Sequence, residues 1–283
     1  MKSISTLLLL LILLSGCSDS TKYTENFDRY NDRTWIGEQF WPIPLEDWKI
    51  EDGRVHCTGE IANMRLNLLT REISGAGDFA FSMKMGVLGD YQEDGDAGVR
   101  IAIQDATDSD IRSLVYFGHG INIGVNTAGF LFIDSLQQAL DPEFDYSNFT
   151  LTVFGSANEG SSAVSARCED QNGHSALLEK SGFANLDGIV SLVKNFAPRG
   201  YFRNHPRFWF DDISLRGTNI LRSPEKAFGP VLFAMYTLDR GVLNLTAQLP
   251  PLGENDRKEA RLEVDEGGTW RTIQHTTIET PSW

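Results

Sequence analysis

Basic residues are scarce in this 283-residue chain: 25 Lys and Arg stand against 39 Asp and Glu, a formal charge of −14. That deficit excludes nucleic acid as a partner, because phosphate recognition needs a basic stripe. It also excludes charge-driven binding to an anionic lipid surface. Cysteine is scarcer still, and three residues are too few for a disulfide scaffold. The longest unbroken apolar run, Leu7–Leu14, has eight residues, far short of the roughly 20 that a membrane-spanning helix needs. The five histidines (His56, His119, His174, His205 and His275) are too widely spaced to form a local metal-binding pair. Helical periodicity is weak everywhere; only Ser135–Leu140 and Ser223–Ala227 read as single turns.

What is present begins with an export signal. Lys2 is the only charge before Asp19, and the short apolar run is followed by Leu14-Ser15-Gly16-Cys17. A basic start, a short apolar stretch and small residues describe a secretory signal peptide. The last four residues resemble a bacterial lipobox, which implies cleavage before Cys17 and a diacylglycerol on its thiol. The expected mature chain is a lipoprotein held to the membrane by its lipid. Ser18 after the cysteine favours the outer membrane, and hence a cell-envelope location. Residues 1–16 are then the signal and 17–25 a polar tether.

The remainder reads as strands. Phe79, Phe81, Met83 and Met85 alternate with small or polar residues, as do Val99, Ile101 and Ile103; period two marks a half-buried strand. Apolar runs at Ile121–Val125 and Phe130–Ile133 flank the turn signal Asn126-Thr127-Ala128-Gly129. Further strand-like runs lie at 151–154, 163–167, 188–194 and 208–215. Short strands punctuated by Gly, Asn and Asp predict an all-β sandwich or jelly roll. A polar segment over 218–228 separates this domain, at 26–217, from four more strand-like runs at 229–283. The acidity belongs to the first part: residues 17–217 hold 17 basic and 30 acidic side chains, residues 218–283 seven and nine.

Three stretches carry a family resemblance. Trp41–Cys57 resembles the opening strands of a concanavalin-like, laminin-G-like jelly roll, and Phe208–Gly217 its closing strand. Gly229–Gly253 with Leu262–Trp270 is similar to the region before the catalytic domain of bacterial alkaline phosphatase D-like enzymes. In that family a jelly roll and a small fibronectin-like module precede a metallophosphatase domain. The resemblance implies a non-catalytic accessory region of a lipid-anchored phosphoesterase, stopping before the phosphatase domain. Catalytic metals would then belong to a downstream or separate domain. The small module is expected to be incomplete, because four strands are visible where a fibronectin-like sandwich has about seven.

No catalytic set is visible in the chain itself. The histidines fit neither the G-N-H-[DE] nor the G-H-x-H pattern of two-metal phosphoesterases. The closest approach to the paired carboxylates of a laminarinase-like glycosidase, Glu263 to Gly268, has glycine in the place of the last acid. Binding remains. Glu93, Asp94 and Asp96 cluster in a Gly-containing loop whose oxygens suit Ca²⁺ and which reads equally as a solvated acidic turn. Trp35, Trp41, Trp48 and Tyr116 are candidate platforms for sugar rings, or core aromatics. Cys57 and Cys168 form a disulfide in an oxidising compartment or stay as two free thiols. Of Asp211 and Asp212, alternation turns one inward. The alternative to the phosphatase reading is therefore a stand-alone, surface-anchored, lectin-like lipoprotein that binds glycans such as polysaccharide.

Overall fold

The computed structural model describes residues 22–104, 118–158, 160–196, 205–254 and 256–278. The export segment, Cys17 and Tyr116 lie outside them. Among the described residues no helix is long and apolar enough to cross a membrane.

The chain is all-β, with two antiparallel eight-stranded sheets facing each other as a jelly-roll sandwich. Sheet A runs β13 (Ser175–Phe183), β12 (Ser162–Asp170), β11 (Phe149–Ala157), β6 (Gly77–Leu88), β15 (Arg207–Gly217), β4 (Arg54–Cys57) and β3 (Trp48–Glu51), with β1 (Tyr23–Glu25) also on β15. Sheet B runs β10 (Leu136–Ala139), β9 (Phe130–Ile133), β8 (His119–Asn126), β7 (Asp96–Gln104), β14 (Gly188–Lys194), β5 (Met64–Ile73) and β16 (Ile220–Arg222), with β2 (Phe40–Ile43) also on β5. The closing strand β15 pairs with β6 and β4 in the middle of sheet A.

Alternation dictates which side chains meet between the sheets. On β6, Phe79, Phe81, Met83 and Met85 turn inward, and on the neighbouring β11 Phe149, Leu151 and Val153 lie beside them. Val99 and Ile101 of β7, Leu66 and Leu68 of β5 and Val190 and Leu192 of β14 supply the opposing wall. Trp48, Phe81, Phe149, Phe208 and Phe210 are fully enclosed, and aromatics of this size dominate the burial energy of such a core.

Several local expectations needed correction. The segment around 136–139 is strand β10, not a helical turn; it pairs residue for residue with β9, and those ladder bonds outweigh a weak local preference. Ile220–Arg222, inside the stretch read as linker, adds an edge strand to sheet B. Pro224–Lys226 does form a single 3₁₀ turn. Strict alternation fails at Asp211 and Asp212, because a bulge between Asp211 and Ser214 resets β15. Asp212 points out to Lys84 at 2.7 Å. Asp211 is half-buried, its Oδ1 has no hydrogen-bond partner, and burial lifts its pKa to about 6.

The two cysteines are free, buried thiols on β4 and β12. Four strand steps of about 4.8 Å separate these strands, roughly 19 Å, whereas a disulfide needs Cα atoms within about 7 Å. Burial pushes the Cys57 thiol up to about 12 and that of Cys168 to about 11. Near Cys57, the ammonium of Lys194 is wholly enclosed and donates to the Gly59 carbonyl; burial lowers its pKa. The β12–β13 turn is organised by Asp170. Its carboxylate accepts the backbone N–H groups of Asp145, Asn172 and His174, each at 2.9 Å, and meets the His174 ring at 2.9 Å. Burial opposes ionisation there, but these donors outweigh it and hold the carboxyl well below the usual carboxylate range.

All four C-terminal strands are present as two separate hairpins, β17 (Phe233–Asp239) with β18 (Val242–Gln248) and β19 (Glu259–Asp265) with β20 (Trp270–Thr277). Each is a two-stranded sheet, and large apolar side chains such as Tyr236, Leu238 and Trp270 are about 70% exposed. Arg33 ties this region to the sandwich by an ion pair with Asp256 at 3.0 Å.

Candidate functional site

In an antiparallel sheet, residues in register on neighbouring strands share a face. Applied to sheet B, this rule lines up a transverse row on the side turned away from the core. Trp41 (β2) is opposite Asn67 (β5), Asn67 opposite Ser191 (β14), Ser191 opposite Arg100 (β7), and Arg100 opposite Asn122 (β8). The row crosses five strands, and every member alternates with a core residue of its own strand. One step along lies a second row of Ile43, Arg65, Val193, Gly98, Gly124 and Phe132.

The first row is a hydrogen-bonded chain. Asn67 donates through Nδ2 to the Trp41 carbonyl at 3.0 Å, and Ser191 donates its hydroxyl to Asn67 Oδ1. Arg100 donates through Nε to Asn122 Oδ1 at 2.6 Å and through Nη1 to Asn63 Oδ1 at 2.8 Å. The Asn122 backbone N–H is held in turn by Asp134 at 3.0 Å. Asn67 and Ser191 are at most 1% exposed and Arg100 is 7% exposed, although this is not the core face. Asn63, Asn122 and Phe196 are half-buried and border solvent.

Aromatic and apolar surfaces frame the row. Phe132 and Phe196 meet edge to face at 5.3 Å, and the Arg100 guanidinium carbon is 5.8 Å from the Phe196 centroid. Glycine at 124 is required by close approach: a Cβ there would come within 2.9 Å of the Phe132 ring and 2.4 Å of the Ala97 carbonyl oxygen. At the other end Trp41 meets Phe228 edge to face at 4.6 Å, over a small apolar cluster of Leu69, Ile103 and Ile189. Burial first, and then the neighbouring Arg65, bring the pKa of Arg100 down to about 10, partly opposed by Asp134; Arg100 stays charged at neutral pH.

The candidates named from sequence separate cleanly in space. Trp41 belongs to the row. Trp48 does not: it is fully buried between the sheets, its ring stacked on Phe210 at 5.9 Å, so it is a core residue and offers no ligand surface. Trp35 is at the junction with the C-terminal region, with the Arg33 guanidinium 5.2 Å from its ring and the Gly229 backbone beside it.

The acidic loop does not converge on a cation. Asp96 accepts the Phe196 N–H at 2.8 Å, Asp94 accepts the Thr127 hydroxyl at 3.1 Å, and Glu93 is exposed. Among the described residues no group of three or more His, Cys, Asp or Glu side chains could hold a metal ion. Asp94 and Asp96 thus serve as hydrogen-bond acceptors for neighbouring loops.

Arg65, Asn67, Arg100, Asn122 and Ser191 were absent from the sequence-derived candidates. Their signal is a polar residue at mid-strand between two apolar ones, as in Met64-Arg65-Leu66-Asn67-Leu68 or Val99-Arg100-Ile101.

No family model matches the chain, and no curated protein matches it. Solved structures that resemble it include the lectin of Bauhinia forficata in complex with GalNAc, at 12% identity and TM-score 0.46, covering 70% of this chain and 98% of that one. Arcelin-5, a lectin-like defence protein from Phaseolus vulgaris, is 10% identical with a TM-score of 0.48, over 71% of this chain and all of its own. Winged bean acidic lectin complexed with methyl-α-D-galactose gives 12%, 0.48 and the same coverage. The resemblance to alkaline phosphatase D-like enzymes draws no support from these comparisons, whereas the jelly roll that it implied is present in the strand order itself.

Proposed function

We propose that this chain is a saccharide-binding module which holds its ligand at the outer face of sheet B, and that it works on the cell envelope through a lipid on Cys17. One observation carries the binding reading: a buried Arg100, gripped by Asn63 and Asn122, lies beside the Phe132–Phe196 pair on a face that the core does not use. A sugar ring presents hydroxyls around its rim and C–H groups on its faces. Amide and guanidinium groups answer the first and aromatic rings the second. A stabilising core would not need this row, because buried polar groups on a sheet face cost free energy that apolar residues avoid. No feature of the described residues favours the phosphatase-accessory role.

The binding test is titration of the purified full chain with a panel of neutral and acidic polysaccharides. Binding is expected, and Asn122→Ala, which removes the amide that holds the Arg100 fork in place, is expected to weaken it by about tenfold. Silence across the whole panel would refute the reading. For the anchor, Cys17→Ser is expected to abolish lipid labelling, and undiminished labelling would refute that part.

A further inference from the structure

We propose that the ligand is an acidic saccharide whose carboxylate is received by Arg100. The carboxylate assignment rests on the saccharide-binding reading above and narrows it to uronic-acid-containing glycans.

Arg100 is 7% exposed, and its hydrogen bonds go to the neutral amide oxygens of Asn122 and Asn63. Among the described residues no carboxylate is within ion-pair distance of it. An enclosed cation without a counter-ion is a costly arrangement, and proteins normally pair such groups. Here a second guanidinium, that of Arg65, is 3% exposed on the adjacent row of the same face and close enough to act on Arg100 electrostatically. The carboxylate that does act on Arg100, that of Asp134, is already engaged by Lys180 and by the Asn122 backbone N–H, so an incoming anion would supply the missing counter-charge.

The geometry suits a planar anion. A guanidinium offers five N–H donors, and the two amide bonds occupy two, leaving three. Anchoring at Nε and Nη1 fixes the plane of the fork, so the remaining donors are aimed before a ligand arrives. A planar fork matches a carboxylate in bidentate fashion. The acidic balance of residues 17–217 repels an anion at long range, but that field is screened within about 8 Å at physiological salt. Recognition is therefore set locally, by Arg100 and the two amides that hold it.

The test compares three sugars of equal length by calorimetric titration of the full chain: an oligogalacturonate, its carboxyl-reduced neutral counterpart and a sulfated galactose oligomer. The oligogalacturonate is expected to bind at least tenfold more tightly than the neutral sugar and more tightly than the sulfated one. Arg100→Gln is expected to collapse the preference over the neutral sugar by about 10- to 100-fold. Should Arg100→Gln fold poorly, Asn122→Asp provides an isosteric alternative. It places an internal carboxylate against Arg100 and is expected to lower oligogalacturonate affinity at least tenfold while the fold, followed by circular dichroism, persists. Equal affinity for uronate and neutral sugars, or a preference for the sulfated one, would overturn the carboxylate assignment and leave the saccharide reading standing. Binding of none of the three, with silence on the wider panel, would remove both.

Discussion

Trp48 decides between two meanings of an aromatic-rich sequence, and replacing it by alanine separates them quantitatively. Its ring is fully enclosed and stacked on Phe210. A tryptophan buries about 150–250 Å², which at about 25 cal/mol per Å² is roughly 4–6 kcal/mol of lost transfer free energy. One contribution runs the other way. The indole Nε1 has no hydrogen-bond partner, and removing an orphaned buried donor returns about 1–3 kcal/mol. The net expectation for Trp48→Ala is therefore a loss of about 3 kcal/mol, within the range found when large core aromatics are truncated. Trp48→Phe keeps the stack on Phe210 and removes the orphan, so its expected loss is about 1 kcal/mol or less. Urea unfolding followed by far-UV circular dichroism measures both without relying on the altered fluorophore. A loss below 1 kcal/mol for Trp48→Ala, with glycan binding impaired, would show that the ring is a ligand platform and that its placement in the core is wrong.

Other side chains give sharp expectations. Lys194, with its pKa lowered by burial, releases its proton in the folded state at a pH where the unfolded chain still holds it. Wild-type stability should accordingly rise toward pH 10.5 relative to Lys194→Met, and parallel pH–stability curves would disprove the buried ammonium. Asp170 has the same sign in a lower pH window: its folded pKa is also depressed, so its contribution is present above about pH 4 and lost as the pH falls below it. Asp170→Asn should flatten the acid limb of thermal stability, and an unchanged limb would show that the turn does not depend on the carboxylate. The thiols of Cys57 and Cys168, buried and raised in pKa, should resist alkylation at pH 8 until the chain is unfolded. Rapid labelling of the native protein, or a change in melting temperature on adding reductant, would contradict their placement.

Much of the sandwich was legible because alternation is local. Phe79 to Met85, Val99 to Ile103 and the run over 208–215 announce their strands in a few residues each. β13 (Ser175–Phe183) was not, because it is an edge strand with one buried residue, Leu178, and so has no apolar stripe to detect. β5 (Met64–Ile73) was missed for the converse reason. Both of its faces are buried, so Arg65 and Asn67 stand where a solvent face was expected, and the segment looks like neither a half-buried nor a fully apolar strand. The site itself was beyond reach for a topological reason. Trp41, Asn67, Ser191, Arg100 and Asn122 come from five strands up to 150 residues apart in the chain, and only the strand order makes them neighbours. The aromatic cluster of Trp35, Trp41 and Trp48, close in sequence, is dispersed by that same order to the junction, the outer face and the core.

The transverse row and the core of sheet B are two sides of one register. Asn67 turns to the outer face because Leu66 and Leu68 turn to the inner one, Ser191 because Val190 and Leu192 do, and Arg100 because Val99 and Ile101 do. A slip of one residue in any of these strand pairs would turn arginine and asparagine into the core and move its apolar residues to the outer face, so folding and site assembly stand or fall together. Asn122, which is half-buried at the border of that face, is thus the member of the row whose exchange would alter ligand preference with least disturbance of the scaffold, whereas Asn67 and Ser191 are enclosed and hold each other.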